Sequence, residues 1–530
     1  MDDQVYDYVI IGSGFGGSVS ALRLAEKGYS VLVLERGKRY EDADFPKTNW
    51  NLGKSLWVPL LRCFGTWELT FMNGAVAMHG SGVGGGSLMY ANVLMEPDDR
   101  LFEASSWHQL ADWKAVLRPH YDTAKRMLGV TTNPRLWPAD EIMKQLAADW
   151  GATDSFHPTE VGVFFGKEDE TYPDPYFNGE GPERTGCNFC GGCMVGCRYN
   201  AKNTLPKNYL YLAEKLGVRI QPEVTVKDIR PLINQPGREV RYEVAYHKTT
   251  AWFYHPRQVV QARNVIVAAG ALGTLDLLLR CRSRERSLPK LSGRLGENVR
   301  TNSENLQGAG SRNKGIDYSK GIAITSIINT REDTNVEPVR FSDGSSLIRN
   351  ITAPLVDGDT IPSRLLNTGL EILRHPIDFF YARFFSRWAF HTTILLFMRP
   401  VEEILNVRLG RNIFTLFRKG VMFDTKGGKL PKGPAMCNKF TRQFAQKING
   451  IPQASVMDSL FNFPITAHFM GGVPVGRDEQ EGVVDVNFQV HNYPGLYVVD
   501  GAIMPGNPGV NPSLTITALA EYAMSKIPPK

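Results

Sequence analysis

The sequence predicts an α/β protein that begins with a βαβ unit. Three observations predict it: a short apolar run at residues 8–11, a glycine-rich turn at residues 12–17, and a second apolar run at residues 31–34. Short apolar runs are typical of strands buried on both faces of a sheet. Residues 21–25 lie between the turn and the second run, and their apolar spacing is that of a helix. At 530 residues, the chain is long enough for about two or three domains.

The turn has the pattern G-x-G-x-x-G and stands where a dinucleotide-binding fold needs it. Gly12 permits a tight turn, Gly14 lets the backbone approach a pyrophosphate, and Gly17 lets the helix pack closely against the strand. The helix N-terminus supplies free N–H groups for phosphates. Glu35 ends the second run, where a carboxylate can accept hydrogen bonds from a ribose. An ordinary glycine turn would not require all these parts in register, so we predict a dinucleotide site.

Composition excludes several classes of protein. The chain has 60 Lys and Arg against 54 Asp and Glu, a formal charge of +6, and no basic tract, so we expect no nucleic acid partner. Diffuse positive charge would favour peripheral contact with anionic membranes. Residues 1–10 show no leader pattern, and the longest uncharged apolar stretch, Trp388–Met398, is too short to span a bilayer. Seven cysteines, an odd number, indicate reduced thiols or metal ligands. We expect a cytoplasmic protein.

Three further segments are rich in glycine and apolar residues: residues 79–97, 265–274 and 496–517. Loops of this kind expose backbone N–H groups and admit a flat ligand close to the main chain. The motifs GSGFGG, GVGGGSLMYAN, VIVAAGALGT and VVDGAIMPGNPGVNPSLTITALAE together resemble the glucose–methanol–choline (GMC) oxidoreductase family, and within it the cholesterol-oxidase-like branch. The resemblance covers both ends and the middle of the chain.

The resemblance implies an FAD-binding, Rossmann-like α/β domain built from non-contiguous segments, together with a substrate domain on an antiparallel sheet (α+β). We expect the FAD domain to use residues 1–100, 198–312 and 462–530. A helical, cysteine-rich insertion would occupy residues 101–197, and the substrate domain residues 313–461.

The resemblance also implies the residues that hold FAD. Some relatives attach the flavin through a histidine in the glycine-rich loop, and Met89 stands there in this chain, so we expect non-covalent FAD. The cofactor-binding residues expected from the family motifs are Gly12, Gly14, Gly17 and Glu35 for the ADP part, Val224 for adenine, Gly84, Gly85 and Ser87 in the flavin loop, and Asp500, Gly501, Asn511, Pro512 and Thr515 near the ribityl chain and ring.

Oxidation of an alcohol requires a proton acceptor and a polar group that fixes the hydroxyl oxygen. His468 precedes Gly471-Gly472, and Asn511 precedes Pro512. From residue type alone, a hydrogen-bonded core histidine and a turn asparagine would explain both. The family resemblance implies that they form the catalytic pair. The branch also uses a glutamate from the substrate domain, for which Glu304 and Glu371 are unranked candidates; the alternative for either residue is a place on a solvated face.

Four of the cysteines lie close together, at Cys187, Cys190, Cys193 and Cys197. This spacing matches the bacterial ferredoxin run except that Arg198 replaces the usual proline. A [4Fe-4S] cluster, a structural zinc site and four reduced thiols bracing a loop are the three interpretations.

The expected activity is FAD-dependent oxidation of the hydroxyl group of a bulky, lipophilic, sterol-like alcohol, with hydride transfer to flavin N5. The electron acceptor would be oxygen or an electron carrier. One alternative is a flavin and iron–sulfur dehydrogenase that passes electrons to a quinone or protein carrier. Another is a non-catalytic, flavin-carrying lipid-binding protein. The aromatic stretch at residues 365–398, interrupted by arginines, fits either an interfacial helix or lid or a buried core helix.

Overall fold

Two seven-stranded sheets form the framework of the computed structural model, which describes residues 4–232, 240–385, 387–411, 417, 419–424 and 434–530. In the first sheet the strand order is Arg219–Gln221, Val31–Leu34, Val5–Ile11, Gln258–Val267, Tyr242–Lys248 and Val224–Pro231, and Leu496–Val498 also pairs with Gln258–Val267.

The first sheet is parallel at its centre, and its strands are apolar because both faces are covered. Ile10 is fully buried and lies opposite Val33 on one side and Ile266 on the other. The helix Phe15–Glu26 follows the strand Val5–Ile11 after a short turn, and Gly17 is the helix residue that contacts this turn. A Cβ atom at Gly17 would lie 2.1 Å from the carbonyl oxygen of Gly12. The glycine therefore lets the helix pack against the turn, as the motif predicts.

The second sheet is antiparallel throughout. Its strand order is Thr352–Pro354, Gly450–Ser455, Asn305–Ser311, Thr392–Met398, Thr334–Val339, Ser326–Thr330 and His157–Pro158. The predicted combination of an α/β unit with an antiparallel sheet is confirmed. Two of these strands precede the range 313–461 that we expected to supply the sheet; the domain boundaries remain predictions.

Smaller sheets and helices complete the described residues. In a three-stranded sheet, Ala75–Gly80 lies between Ile465–Thr466 and Trp67–Met72. The two-stranded sheets pair Thr171–Tyr172 with Arg184–Thr185, Val407–Gly410 with Gly420–Phe423, Trp57–Val58 with Cys63–Phe64, and Thr131–Thr132 with Glu160–Val161. The α-helices are Phe15–Glu26, Leu52–Ser55, Trp113–Leu128, Pro138–Asp149, Tyr209–Lys215, Ala271–Ser283, Ile361–Arg374, Pro376–Phe380, Trp388–His391, Ala435–Lys447, Val456–Phe461 and Ser513–Ser525.

The longest uncharged apolar stretch of the sequence becomes a short helix and a strand. Trp388–His391 is helical, and Thr392–Met398 is an inner strand of the second sheet, where burial on both sides explains its composition. Among the residues described, no helix has both the length and the apolar character needed to cross a membrane. The strand Val407–Gly410 lies in the range expected to supply the substrate sheet, but it pairs with Gly420–Phe423 instead of joining the second sheet.

Candidate active site

A cavity of about 880 Å³ is lined by residues of both sheets and of the loops between them. This volume is in the range of roughly 300–1,000 Å³ that is usual for ligand sites. Gly14, Glu35 and Val224 line it, and so do His468 and Asn511. The second sheet and its neighbourhood contribute an apolar wall, which includes Leu306, Ile324, Val339, Phe341, Ile394 and Leu396.

Three helix N-termini reach this cavity without a capping side chain. The helices Phe15–Glu26, Ala271–Ser283 and Ser513–Ser525 have Gly14, Gly270 and Pro512 as their N-cap residues, and no side chain caps any of them. All three N-cap residues line the cavity. Free N–H groups and the helix dipole favour negative charge at such positions. The cavity is therefore suited to a ligand that carries phosphates or develops negative charge.

The residues predicted to bind FAD divide into two groups. Those that line the cavity are Gly12, Gly14, Glu35, Gly85, Val224, Gly501, Asn511 and Pro512, and Met89 lines it as well. Gly14 borders open space, since a Cβ atom there would meet nothing within 4 Å, whereas one at Gly12 would lie 2.3 Å from the Ala268 carbonyl oxygen. An open glycine at an uncapped helix N-terminus, together with a long cavity wall, fits a dinucleotide such as FAD.

The second group consists of Gly17, Gly84, Ser87, Asp500 and Thr515, which are buried braces behind the wall. The Ser87 hydroxyl donates to the Gly84 carbonyl (2.7 Å) and accepts from the Leu205 amide (3.1 Å). Asp500 accepts from the Thr274 hydroxyl at 2.5 Å, and burial raises the pKa of Asp500 to about 6. These residues shape the loops of the site. Their predicted direct contacts with the cofactor remain predictions.

Glu35 has a similar bracing function in the nucleotide turn. One carboxylate oxygen accepts from the backbone amide of Ser13 (3.0 Å) and from its hydroxyl (2.7 Å). The other oxygen accepts from the Gly37 amide at 2.8 Å. The acid thus holds the turn in shape at the edge of the cavity, beside the place predicted for the ribose.

His468 comes into the cavity from a chain segment that is tightly held. It follows the strand Ile465–Thr466 and precedes Gly471, whose φ is +74°. A Cβ atom at Gly471 would lie 2.0 Å from the carbonyl oxygen of Asn298, so only glycine allows this close passage. The histidine side chain is 10% exposed. The Gly-Gly pair thus fixes the backbone that presents His468.

One glutamate orients the His468 ring. Nδ1 of His468 lies 2.8 Å from Oε1 of Glu304, a carboxylate with no exposed surface. Oε2 of Glu304 accepts from the Thr466 hydroxyl (2.5 Å) and from the backbone amides of Ala467 (2.7 Å) and His468 (3.1 Å). Three donors therefore converge on Oε2 of this carboxylate, and the His468 ring lies against Oε1, which is how a buried charge is stabilised.

Two groups contact Nδ1 of His468. The Asn302 amide nitrogen, which has two hydrogens, donates to the Val510 carbonyl at 3.0 Å and lies 3.3 Å from Nδ1, and Oε1 of Glu304 lies 2.8 Å from the same ring nitrogen. In the tautomer with the ring proton on Nδ1, that proton faces Glu304 and Nε2 is the acceptor. Of the two glutamate candidates, the structure brings Glu304 to His468. Glu371 lies on the exposed helix Ile361–Arg374, 3.9 Å from His375, and does not line the cavity.

A second buried glutamate was missed by the sequence reasoning. Glu337 lies in the strand Thr334–Val339 and is fully buried beside Asn511. With the Asn511 amide turned to donate, its nitrogen is 3.1 Å from Oε1 and 3.3 Å from Oε2 of Glu337. Burial, with the Glu304 carboxylate nearby, raises the pKa of Glu337 well above its usual range. The signal in the sequence was one acid between two apolar residues, Val336 and Pro338.

Glu337 should make the protein less stable as the pH rises. Above its ordinary pKa of 4.5, the unfolded chain releases this proton while the folded chain keeps it, so unfolding becomes more favourable until the raised pKa is passed. Urea unfolding of the FAD-loaded protein at several pH values would measure this. Glu337→Gln should flatten the decline that begins above the ordinary pKa of 4.5. An unchanged slope in the variant would contradict a raised pKa at this position.

The four-cysteine loop contains free thiols and does not form a metal site in this structure. No three His, Cys, Asp or Glu side chains of the described residues are arranged to hold a metal ion. Cys187 packs in an apolar cluster with Phe189 and Val163, while burial raises the pKa of the Cys190 thiol to about 11. Neutral thiols among apolar side chains are poor ligands. The iron–sulfur and zinc interpretations are therefore not supported, and bracing thiols fit best.

The same loop contributes to the wall of the cavity. Met194 and Val195 line it, and the Met194 carbonyl accepts from the Trp67 indole at 2.7 Å. Lys202 Nζ donates to the carbonyls of Cys193 (2.9 Å) and Tyr90 (2.8 Å), which joins the cysteine loop to the glycine-rich loop. The cysteine loop therefore has a structural role that requires no bound metal.

Comparison with known proteins identifies the family of this chain. The sequence model of the GMC oxidoreductase family matches residues 6–301 and 431–520. A cholesterol oxidase from Acinetobacter baumannii is 44% identical over 99% of this chain and 95% of its own length. A cholesterol oxidase from Mycobacterium tuberculosis is 43% identical over 99% and 91%, respectively. Among solved structures, pyridoxine 4-oxidase from Mesorbium loti covers 98% of this chain and 99% of its own, with a TM-score of 0.62 and 16% identity, a likeness of fold.

Proposed function

This chain belongs to the GMC oxidoreductase family and is an FAD-dependent oxidoreductase acting on CH–OH groups, and we propose that its substrate is a bulky, sterol-like alcohol. The observation that carries the proposal is the meeting of an apolar cavity wall with the His468–Glu304 pair. Leu306, Ile394 and Leu396 can bury a lipophilic skeleton, while His468 and Asn511 serve one hydroxyl group. The names of the similar cholesterol oxidases support the same substrate class.

FAD, when bound, supplies a two-electron acceptor for the hydride of the carbinol carbon. The residues that would hold it are Gly12, Gly14 and Glu35, with Val224 and the N-terminus of the helix Ser513–Ser525. This geometry supports a flavin attached by non-covalent contacts, since Met89 lines the cavity where some relatives have a histidine.

His468 receives the hydroxyl proton at Nε2 in this proposal. With the ring proton on Nδ1, facing Glu304, the ring accepts the hydroxyl proton at Nε2, and the resulting imidazolium is stabilised by the carboxylate 2.8 Å away. Asn511 holds the alcohol oxygen, and Glu337 fixes the Asn511 amide. The cavity wall formed by the second sheet excludes water from this group of residues. Oxygen is the proposed electron acceptor.

Glu304→Gln should slow oxidation of the alcohol by at least about tenfold, because a neutral amide neither selects the Nδ1-protonated ring nor stabilises the imidazolium. Glutamine can still accept hydrogen bonds from Thr466 and Ala467, so the fold should be retained. The pH profile of kcat/KM should shift in the variant while bound FAD stays unchanged. Equal profiles for the two proteins would rule out this role for Glu304.

Non-covalently bound FAD should leave the protein when the chain is denatured. Heat or acid denaturation of the yellow protein should release FAD into the supernatant, because no covalent bond would hold it to the precipitated chain. Absorbance of the separated fractions measures this. Flavin retained by the precipitate would contradict the assignment made from Met89.

Anaerobic mixing tests the substrate class. A 3-hydroxysterol should bleach the flavin absorbance, and admission of air should restore it with formation of hydrogen peroxide. Short linear alcohols serve as the comparison, because they leave the apolar wall unfilled. Bleaching by short alcohols but not by any sterol would overturn the sterol proposal, and reoxidation by a quinone but not by air would overturn oxygen as the acceptor.

A further inference from the structure

Two polar side chains interrupt the apolar wall that the second sheet gives to the cavity. Gln453, in the strand Gly450–Ser455, lines the cavity and is only 6% exposed. Thr392, at the start of the strand Thr392–Met398, also lines the cavity and is 4% exposed. Neither the Gln453 amide nitrogen nor the Thr392 hydroxyl has a hydrogen-bond partner among the described residues. Buried polar groups ordinarily have one, so a ligand group is expected here.

Trp388 fixes the orientation of the Gln453 amide. The indole Nε1 of Trp388 lies 3.2 Å from the side-chain oxygen of Gln453. An indole N–H can only donate, so the atom that faces it is the amide oxygen, and Nε2 with its two hydrogens points elsewhere. Trp388 is 2% exposed and packs in an apolar cluster with Phe341. The free N–H groups of Gln453 are therefore held in one direction.

Gly310 shows that the free amide and the Thr392 hydroxyl face the same space. A Cβ atom at Gly310 would lie 3.1 Å from Nε2 of Gln453 and 3.3 Å from Oγ1 of Thr392. The two polar atoms therefore flank one point above a residue that has no side chain to fill it. Two donors on either side of one point can share a single acceptor oxygen. We call Gln453 and Thr392 the distal subsite.

The register of the second sheet gives the distance from the distal subsite to the catalytic end of the cavity. Gln453 is paired with Gly308 in the neighbouring strand Asn305–Ser311. Glu304, which contacts His468, precedes Gly308 by four residues on the same chain segment. At a rise of about 3.4 Å per residue, the two levels are roughly 14 Å apart. This separation is of the order of the length of a four-ring steroid skeleton.

The surface between these two polar ends is apolar. Leu306 is paired with Leu396, and Gly308 with Ile394, and all four line the cavity. Directly paired residues of neighbouring strands lie on the same face of a sheet. A rigid apolar skeleton can therefore lie along this face with one end at His468. The order of polar, apolar and polar surface is complementary to an alcohol with a second oxygen at its far end.

We propose that Gln453 and Thr392 bind a carbonyl oxygen at the end of the substrate opposite its reacting hydroxyl, so that the protein prefers hydroxysteroids that carry a ketone there. A hydrocarbon end would displace water from the Gln453 amide without replacing its hydrogen bonds. Sites built to hydrogen-bond one group discriminate strongly against the analogue that lacks it. The steroid class and the oxidation rest on the proposed function, whereas the subsite rests on the geometry of Gln453 and Thr392.

Anaerobic flavin reduction by two steroids tests the preference. Dehydroepiandrosterone has a hydroxyl at one end and a ketone at the other, and the comparison is its analogue without the ketone. The FAD-loaded parent protein should be reduced at least about tenfold more efficiently by dehydroepiandrosterone. Gln453→Leu should lose this preference and act faster on the analogue, because leucine is apolar and similar in size. Thr392→Val, which removes only a hydroxyl, should weaken the preference about threefold, and it provides a second test if Gln453→Leu does not fold.

Thr393→Val is the matched control. Thr393 adjoins Thr392 in the same strand and is 1% exposed, and its hydroxyl also has no partner among the described residues, but it does not line the cavity. Its replacement should leave the preference between the two steroids as in the parent. A parent protein that treats both steroids alike would overturn the proposal, and so would a Gln453→Leu variant that keeps the parent's preference.

Binding of a steroid that cannot be oxidised separates the subsite from the chemistry. Androstenedione has ketones at both ends, and its binding to the FAD-loaded protein is measured by the change in flavin absorbance, against the analogue without the distal ketone. The parent should bind androstenedione at least about tenfold more tightly, and Gln453→Leu should not. If no steroid reduces the flavin but this difference in binding is found, the proposed substrate fails and the subsite stands. Reduction of the flavin by steroids, with equal binding of the two ketones, would overturn the subsite alone.

Discussion

Replacing His468 with glutamine is expected to slow reduction of the flavin by alcohol about a hundredfold or more while leaving FAD bound. Glutamine can keep a hydrogen bond to Glu304 but cannot accept a proton at the position of Nε2. The side chain is only 10% exposed, so water cannot easily replace the lost base. Stopped-flow mixing under anaerobic conditions measures the effect on the reductive step alone.

His79→Gln is the matched control for that experiment. His79 also lines the cavity, but it contacts Thr70 at 2.9 Å and lies near Glu68 and Arg36. Burial lowers the pKa of His79 to about 4, which makes it a weak proton acceptor at neutral pH. Its loss should change the rate little. A His468 variant that reduces its flavin as fast as the parent protein would remove His468 from the proposed mechanism.

Gly17→Ala is expected to destabilise the fold by about 2–3 kcal/mol and to abolish stable FAD binding. The new Cβ atom would lie 2.1 Å from the Gly12 carbonyl oxygen and 3.0 Å from its carbon. Backbone atoms cannot rotate away as a side chain can, so the helix Phe15–Glu26 would have to move off the first sheet. Chemical denaturation, with flavin content measured in parallel, tests both parts.

Gly14→Ala separates folding from binding in the same turn. A Cβ atom at Gly14 meets nothing within 4 Å, and its φ of −71° is accessible to alanine. The variant should therefore unfold like the parent but bind FAD more weakly, because the methyl group would occupy the approach to the pyrophosphate. Loss of stability as large as that of Gly17→Ala would show that the turn is not packed as described.

The nucleotide unit could be predicted because local sequence determines it. The strand Val31–Leu34 has the bounds of the apolar run, and Gly17 makes the close contact that its motif predicts. Such features depend on neighbours within one βαβ unit. The contact of Glu304 with His468 spans 164 residues of sequence, and residue type alone could not distinguish Glu304 from Glu371.

Glu337 escaped prediction for a different reason. The acid is flanked by apolar residues in a strand, and only the pairing with its neighbours shows that it faces Asn511. The aromatic stretch at residues 365–398 was open to two interpretations because hydropathy does not say which side of a helix turns inward. In the structure this aromatic stretch is partly buried and partly exposed: Phe397 is buried in the second sheet, whereas Phe380 and Phe384 are exposed.

The origin of the two buried glutamates limits how this enzyme could be re-engineered. Glu304 directly precedes the strand Asn305–Ser311, and Glu337 lies in the strand Thr334–Val339, so both acids belong to the second sheet. A chimaera that exchanged this sheet for a relative's, to change which alcohol is accepted, would also exchange the partners of His468 and Asn511. Specificity and proton handling are therefore inherited together, and a successful graft must retain both carboxylates.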